Sequence, residues 1–321
     1  MNERATMTRT PAARVTRMAL GDVPWSALSP GVQMRVVHAD PASGRWSALI
    51  HMLPASRLIP HRHIGASEFF VFEGSGTHPQ AGSFQPGDYA WEPAGAVHTE
   101  VLAEQDLRLF MVSHGSSEFL RPNGSVWYVA DAAYFHSLMR TKKWLRGLKR
   151  FVLIDLWRAL RRRPRRTPSS TSADMDKDIR ILNPLERPRI LIENGTQMRV
   201  LHVDDDIGVV SLLIEVPAGG ALAERELVGT SETLVLDGTA HHPELGPLAT
   251  DDYLREEGPG RASRLTTEEG ATFLIFDRSD TQFTDGAGRE ASLADLLVSN
   301  GALARQEEDQ IGTTPLSRHS P

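Results

Sequence analysis

Residues 60–74 read PHRHIGASEFFVFEG and residues 87–98 read GDYAWEPAGAVH. His61 and His63 stand two apart, and side chains two apart in a strand leave the same face, so both imidazoles can meet one ion. Glu68 has the opposite parity and reaches that face only if the chain turns or bulges near Gly65, which a glycine favours. His98 closes the second stretch behind Gly87, Pro93 and Gly95, with Glu92 six residues before it. Around these stretches the apolar runs, such as WSALIHML (46–53) and LRLFMVS (107–113), are short and separated by Gly, Pro, Asn and Asp. That punctuation predicts an all-β sandwich or barrel and argues against alternating strands and helices. Outside the basic segment 140–185, helical composition is confined to residues 130–138 and 293–303.

Working outward, the pattern recurs. GVQMRVVHAD (31–40) is matched by GTQMRVLHVD (195–204), and FVFEG ending at Gly74 by LVLDG ending at Gly238. Tyr89 is matched by Tyr253 and Phe119 by Phe283, the offset holding at 163 to 164 residues. Such self-similarity predicts two copies of one domain, residues 22–139 and 186–303. A flexible leader is expected at 1–21, a basic amphipathic helix and linker at 140–185, and a disordered tail at 304–321. Through the repeat, His61 and His63 fall on Glu224 and Glu226, Glu68 on Glu232, and His98 on Ala262. The second copy is therefore expected to be a barrel without a histidine site, its three carboxylates being a candidate set for a hard cation such as Mg or Ca.

The 321 residues contain 12 histidines and no cysteine. Disulfides, thiolate ligands and thiol nucleophiles are excluded, and any metal must sit on His, Asp or Glu. A chain that is 40% hydrophobic and 24% charged is an ordinary globular mixture, neither collagen-like nor disordered. No run approaches the roughly 18 apolar residues of a membrane span, and the N-terminus carries no apolar signal stretch, so a cytoplasmic location is expected. The net charge of -6 conceals an asymmetry: residues 140–166 sum to +11 and the rest to -17. Within that basic segment Leu145, Leu148, Val152, Leu156 and Leu160 recur at helical spacing. Such a helix either packs on the acidic barrels or lies on an anionic membrane surface through residues 138–163. Nucleic acid is not an expected partner, because the acidic body would repel phosphate. A homodimer formed by pairing of barrel edges is a further candidate assembly.

The spacing H-x-H-x4-E-x5-G, then G-x5-P-x-G-x2-H, resembles the two motifs of the cupin superfamily, the first departing by one residue at its glycine. The run HRHIGASEFF, with GRW (44–46) upstream and EFLRPNG (118–124) downstream, is similar to the cupin branch of acetylacetone-cleaving and dihydroxyacetophenone-cleaving dioxygenases. The same motifs resemble the cupin half of zinc anti-sigma factors. The resemblance implies two tandem double-stranded β-helix (jelly-roll) barrels. It further implies one divalent metal on His61, His63 and His98, with Glu68 a candidate fourth ligand and Glu92 a catalytic outer-sphere glutamate. Iron(II) is the implied ion, with zinc or manganese as alternatives. The implied activity is dioxygenolytic cleavage of a C–C bond in a small β-diketone or hydroxyaryl ketone. The alternative is a metal-binding regulatory or sensor cupin without catalysis. Where the diketone-cleaving member has an arginine and a tyrosine, this chain has Pro79 and Phe69.

The physical logic is compatible with an oxygenase. Three neutral imidazoles leave a divalent ion its full charge and open positions, enough for an anionic oxygen chelate beside dioxygen. Phe70, Phe72 and Ala90, sharing strand faces with Glu68 or Glu92, are expected to wall an apolar pocket. His38, His51 and His78 are not expected to be ligands.

Overall fold

The structure is a computed structural model that describes residues 12–140, 179–278, 280–284 and 289–299. It divides into two compact units, Leu20–Pro184 and a second one combining Met1–Ala19 with Leu185–Pro321. Each is a β-barrel, as the short, Gly- and Pro-punctuated apolar runs predict.

In the first unit a seven-stranded antiparallel sheet runs, edge to edge, through Arg180–Leu182, Tyr89–Glu92, Ser67–Glu73, Leu107–Ser113, Trp46–Met52, Val32–Ala39 and Ser26–Ser29. A four-stranded sheet of Val97–His98, His61–His63, Ser117–Leu120 and Val126–Ala130 carries the histidines. Alternation along the strands fills the space inside with Met34, Trp46, Ile50, Phe69, Val71, Ala90, Met111 and Phe119. A helix, Ala132–Arg140, closes the end with Phe135 fully buried against Trp46, ring centroids 4.2 Å apart.

The second unit repeats the plan. Its long sheet includes Gln197–Asp204, Val209–Val216, Ala271–Asp277, Thr230–His242 and Asp252–Glu257, and its short sheet Gly260–Arg261, Glu226–Leu227, Gln282–Thr284 and Glu290–Ser292.

Two segments expected to be irregular are strands. Arg14–Ala19, in the stretch read as a flexible leader, pairs antiparallel with Asp252–Glu257 of the second barrel, and Arg17 grips Asp252 with two hydrogen bonds of 2.8 and 3.2 Å. Arg180–Leu182, read as linker, pairs with Tyr89–Glu92 of the first barrel. Each barrel thus takes an edge strand from the sequence that precedes the other copy. Backbone groups on an open edge seek partners wherever the chain can deliver them, and side-chain periodicity says nothing about which sheet a three- to six-residue strand joins. The basic amphipathic stretch 141–163 and the tail 304–321 lie outside the described residues. Among the described residues no helix is long and apolar enough to cross a membrane.

Candidate metal centre

His61 and His63 lie on the short strand His61–His63 with both rings buried and Arg62 turned outward between them. Antiparallel pairing sets His98 directly across from His61, and on the other flank Phe119 opposes His61 and Ser117 opposes His63. One donor atom each from His61, His63 and His98 falls within 4.8 Å of the others. The rings are 4.5 to 4.9 Å apart, His61 stacked on His98 and His63 edge-on to both.

Hydrogen bonding orients each ring. His61 Nδ1 donates to the carbonyl of Ile59 at 2.9 Å, which leaves Nε2 with its lone pair. His63 Nδ1 lies 3.4 Å from the Ser117 hydroxyl. Glu92, on the neighbouring strand Tyr89–Glu92, is 2% exposed and brings Oε2 to 3.2 Å from His63 Nε2 and Oε1 to 3.6 Å from His98 Nε2. None of these approaches is aligned as a hydrogen bond: His63 Nε2, His98 Nε2 and Glu92 Oε2 are buried polar atoms without one. Buried polar groups are ordinarily satisfied, and convergence of three unsatisfied ones fits a bound cation.

The charge balance agrees. Burial, reinforced by the neighbouring His63, pushes the His61 pKa down to about 4, and burial likewise holds His98 well below the ordinary imidazole value. Burial opposes ionisation of Glu92, but the facing His98 and His63 outweigh it and keep the carboxyl well below its usual range. Neutral imidazoles and a buried carboxylate are the protonation states that metal ligation requires.

The structure adds His78 to this cluster. His78, Glu92 and His98 form a second buried group of donor atoms within 4.8 Å. His78 Nδ1 accepts the backbone N–H groups of Gln80 and Ala81, both at 3.2 Å, so its own proton belongs on Nε2, which approaches His98 Nδ1 at 2.5 Å. That assignment puts the His98 proton on Nε2 when no ion is bound, whereas a neutral His98 holding an ion through Nε2 carries its proton on Nδ1 and donates it to His78 Nε2. In the second barrel His242 makes the same two turn contacts, at 3.0 and 3.1 Å. With Ala262 in the place of His98, its buried Nε2 has no partner. The turn contact is therefore independent of the site, whereas the ring-to-ring bond belongs to it. The signal available in the sequence was this recurrence of His78 as His242. Replacing His78 by alanine is expected to weaken metal binding by about 10- to 100-fold through loss of the hydrogen bond that orients His98, measured by competition with a chromophoric chelator. Unchanged affinity would reduce His78 to a turn residue.

Glu68 is placed elsewhere. Its strand residues Phe69 and Val71 point into the core while Glu68 and Phe70 point the other way. Its carboxylate accepts from Tyr89 Oη at 2.6 Å and pairs with His114 Nε2 at 2.8 Å. The bend anticipated at Gly65 exists for another reason. A Cβ on Gly65 would come within 2.6 Å of the Gly115 backbone, so the glycine serves close chain approach and does not swing Glu68 inward. Phe70 and Phe72 share the outward face with Glu68, so of the expected pocket wall Ala90 alone faces the barrel interior.

The alignment of the second barrel also shifts. Arg62 pairs with Val97 and Glu118, and Glu226 pairs with Arg261 and Gln282, which are Val97 and Glu118 displaced by 164. The positions of His61 and His63 are thus held by Arg225 and Leu227, both buried, while Glu226 faces outward between them and Glu224 outward before them. The three carboxylates do not converge. Glu232 instead accepts from Tyr253 Oη at 2.8 Å, the counterpart of the Glu68–Tyr89 pair.

Two jelly-roll barrels, the first with three convergent histidines on its inner wall, define the chain as a cupin. The family model for ChrR cupin-like domains matches residues 14–118 and 183–279, and the chain belongs to that family. The acetylacetone-cleaving enzyme of Acinetobacter johnsonii is 26% identical over 115 residues, taking in 32% of this chain and 74% of the relative. Among solved structures, a candidate dioxygenase from Nostoc punctiforme superposes with a TM-score of 0.57 at 12% identity, covering 83% of each chain. An oxalate decarboxylase from Bacillus subtilis gives 0.50 at 14% identity over 98% of this chain and 89% of that one. At such identities the two structures speak to the fold.

Proposed function

We propose that the first barrel is a mononuclear metal-dependent dioxygenase centre, with iron(II) on His61, His63 and His98, that cleaves a C–C bond in a β-diketone or hydroxyaryl ketone. The observation that carries this reading is the buried convergence of three imidazoles with a carboxylate, in a chain whose matching relative cleaves acetylacetone. Iron would supply a Lewis acid for an anionic oxygen chelate and a one-electron route to dioxygen. The protein's part follows from the residues. Histidine ligands of the first barrel carry no charge of their own, so an enolate is held by the charge the site provides. Glu92, ionised and lacking a hydrogen bond on Oε2, is placed to take up the proton that an enolisable ketone releases. His78 and the Ile59 carbonyl keep the rings in register, and the buried surroundings exclude bulk water.

A regulatory reading draws on one observation: the open space beside His61 and His63 amounts to about 20 Å³, smaller than any diketone. A catalytic site of this kind needs its flexible neighbours Met34 and Met111 to move aside. The test is elemental analysis of protein purified anaerobically without chelators, followed by oxygen uptake on diketones after iron loading. About one iron per chain with substrate-dependent oxygen uptake is expected. Tightly held zinc, with no uptake after iron loading, would establish the regulatory reading in its place.

A further inference from the structure

The cavity of about 20 Å³ beside His61 and His63 is bounded by Met34, Ile50, Leu58, Met111, Ala130 and Phe135, among other carbon surfaces. All six are buried, and of the whole lining Leu28 alone is partly exposed. A single water needs roughly 10–15 Å³ and two to four polar partners. The size criterion is exceeded and the polar one fails. The Ser117 hydroxyl in the wall is turned to His63 Nδ1, and the Trp46 indole N–H is committed to the Gly115 carbonyl at 3.0 Å. An apolar void of this size, walled almost wholly by buried residues, suits a nonpolar diatomic better than water.

Its position matters as much as its polarity. The rings of His61 and His63 form part of the wall, whereas His98, Glu92 and His78 do not. The centre therefore has two unlike sides: a polar one, where Glu92 meets His78 and His98, and a carbon-lined one. We propose that the cavity walled by Ile50, Leu58, Met111 and Ala130 is a dioxygen-binding site that holds the gas against the His61–His63 face. The proposal rests on the oxygenase reading of the centre for its function, though not for the binding itself.

Dioxygen is paramagnetic and is its own probe. The zinc-loaded full-length protein, labelled at methyl groups, is compared by NMR under oxygen and under nitrogen. Relaxation of the Ile50, Leu58 and Ala130 methyls is expected to be enhanced well beyond that of equally buried core methyls such as Val71 and Leu212. Uniform enhancement across these methyls overturns the proposal without any variant. Ala130→Val puts two carbons into the void and is expected to abolish the local enhancement while the Val71 signal confirms folding. In the iron-loaded enzyme the same variant is expected to raise KM for dioxygen by roughly tenfold. A rise confined to KM for the organic substrate, or none despite a filled void, overturns the assignment. Local enhancement in a wild type that consumes no oxygen with iron bound supports the gas site and overturns the oxygenase reading alone.

Discussion

His63→Ala is expected to leave the protein unable to retain a metal: stoichiometry by elemental analysis should fall from about one ion per chain to near zero, and any metal-dependent activity with it. His63 is the member of the triad closest to the buried Glu92 carboxylate, at 3.2 Å against 3.6 Å for His98. Its ring meets both His61 and His98 edge-on at 4.9 and 4.8 Å, and its Nε2 is the atom nearest Glu92 Oε2. Of the triad only His61 and His98 then remain, and protein sites for iron or zinc supply at least three donors. The substitution also removes the ion that balances a carboxylate that is 2% exposed, and stranding a buried charge costs about 3–5 kcal/mol. The double variant His63→Ala with Glu92→Gln separates the effects, because a neutral amide has no charge to strand. It should recover much of the stability and still hold no metal. A single variant that keeps one ion per chain would show that the site is built on other residues.

The parts of this centre legible in the sequence are those that depend on period and spacing. His61 and His63 share a face because strands alternate, and His98 follows the Pro93-Ala94-Gly95 turn at a distance that lets the chain return it opposite His61. Glu68 illustrates the limit. Its parity already argued against the metal face, and the structure keeps that parity, with Tyr89 and His114 taking the carboxylate on the other side of the strand. His78 recurs as His242 in a barrel without the triad, so its sequence signal is that of the turn contact to backbone amides and not of the ring-to-ring bond with His98. The register of Glu224 and Glu226 was hidden by a one-residue drift in the repeat offset, and in a strand one residue exchanges the inner face for the outer. The pairing of Arg14–Ala19 with the second barrel is a tertiary choice between two similar sheets, and no local pattern encodes it.

The corrected register leads to the second large effect. Arg225 occupies the strand position of His61, is 2% exposed, and lies 3.3 Å from both Asp277 Oδ2 and Ser231 Oγ. Asp277 is 1% exposed and also accepts from Thr281 Oγ1 and the Arg278 amide, each at 2.9 Å. Glu256, the counterpart of Glu92, is buried beside them and accepts the Ser263 amide at 2.7 Å. Burial pushes its carboxyl above the ordinary value against the pull of Arg225. Arg225→Ala takes the cation away from two buried acids, and breaking a buried pair from one side costs about 3–5 kcal/mol. For a unit of this size that corresponds to a fall of about 10 °C in the unfolding midpoint, read by calorimetry on the full chain. Arg225→Met combined with Asp277→Leu replaces both charges with apolar volume and should recover most of the loss, because an apolar pair of similar size often matches a buried ion pair. An Arg225→Ala midpoint equal to that of the wild type would mean that the guanidinium does not balance these acids. The physical contrast between the barrels lies here: where the first gathers neutral imidazoles and a carboxylate that suit an exchangeable dication, the second carries a covalently fixed cation in the same strand position. A fixed charge balances the inward acids at every metal concentration, so the second barrel's stability should not respond to chelators.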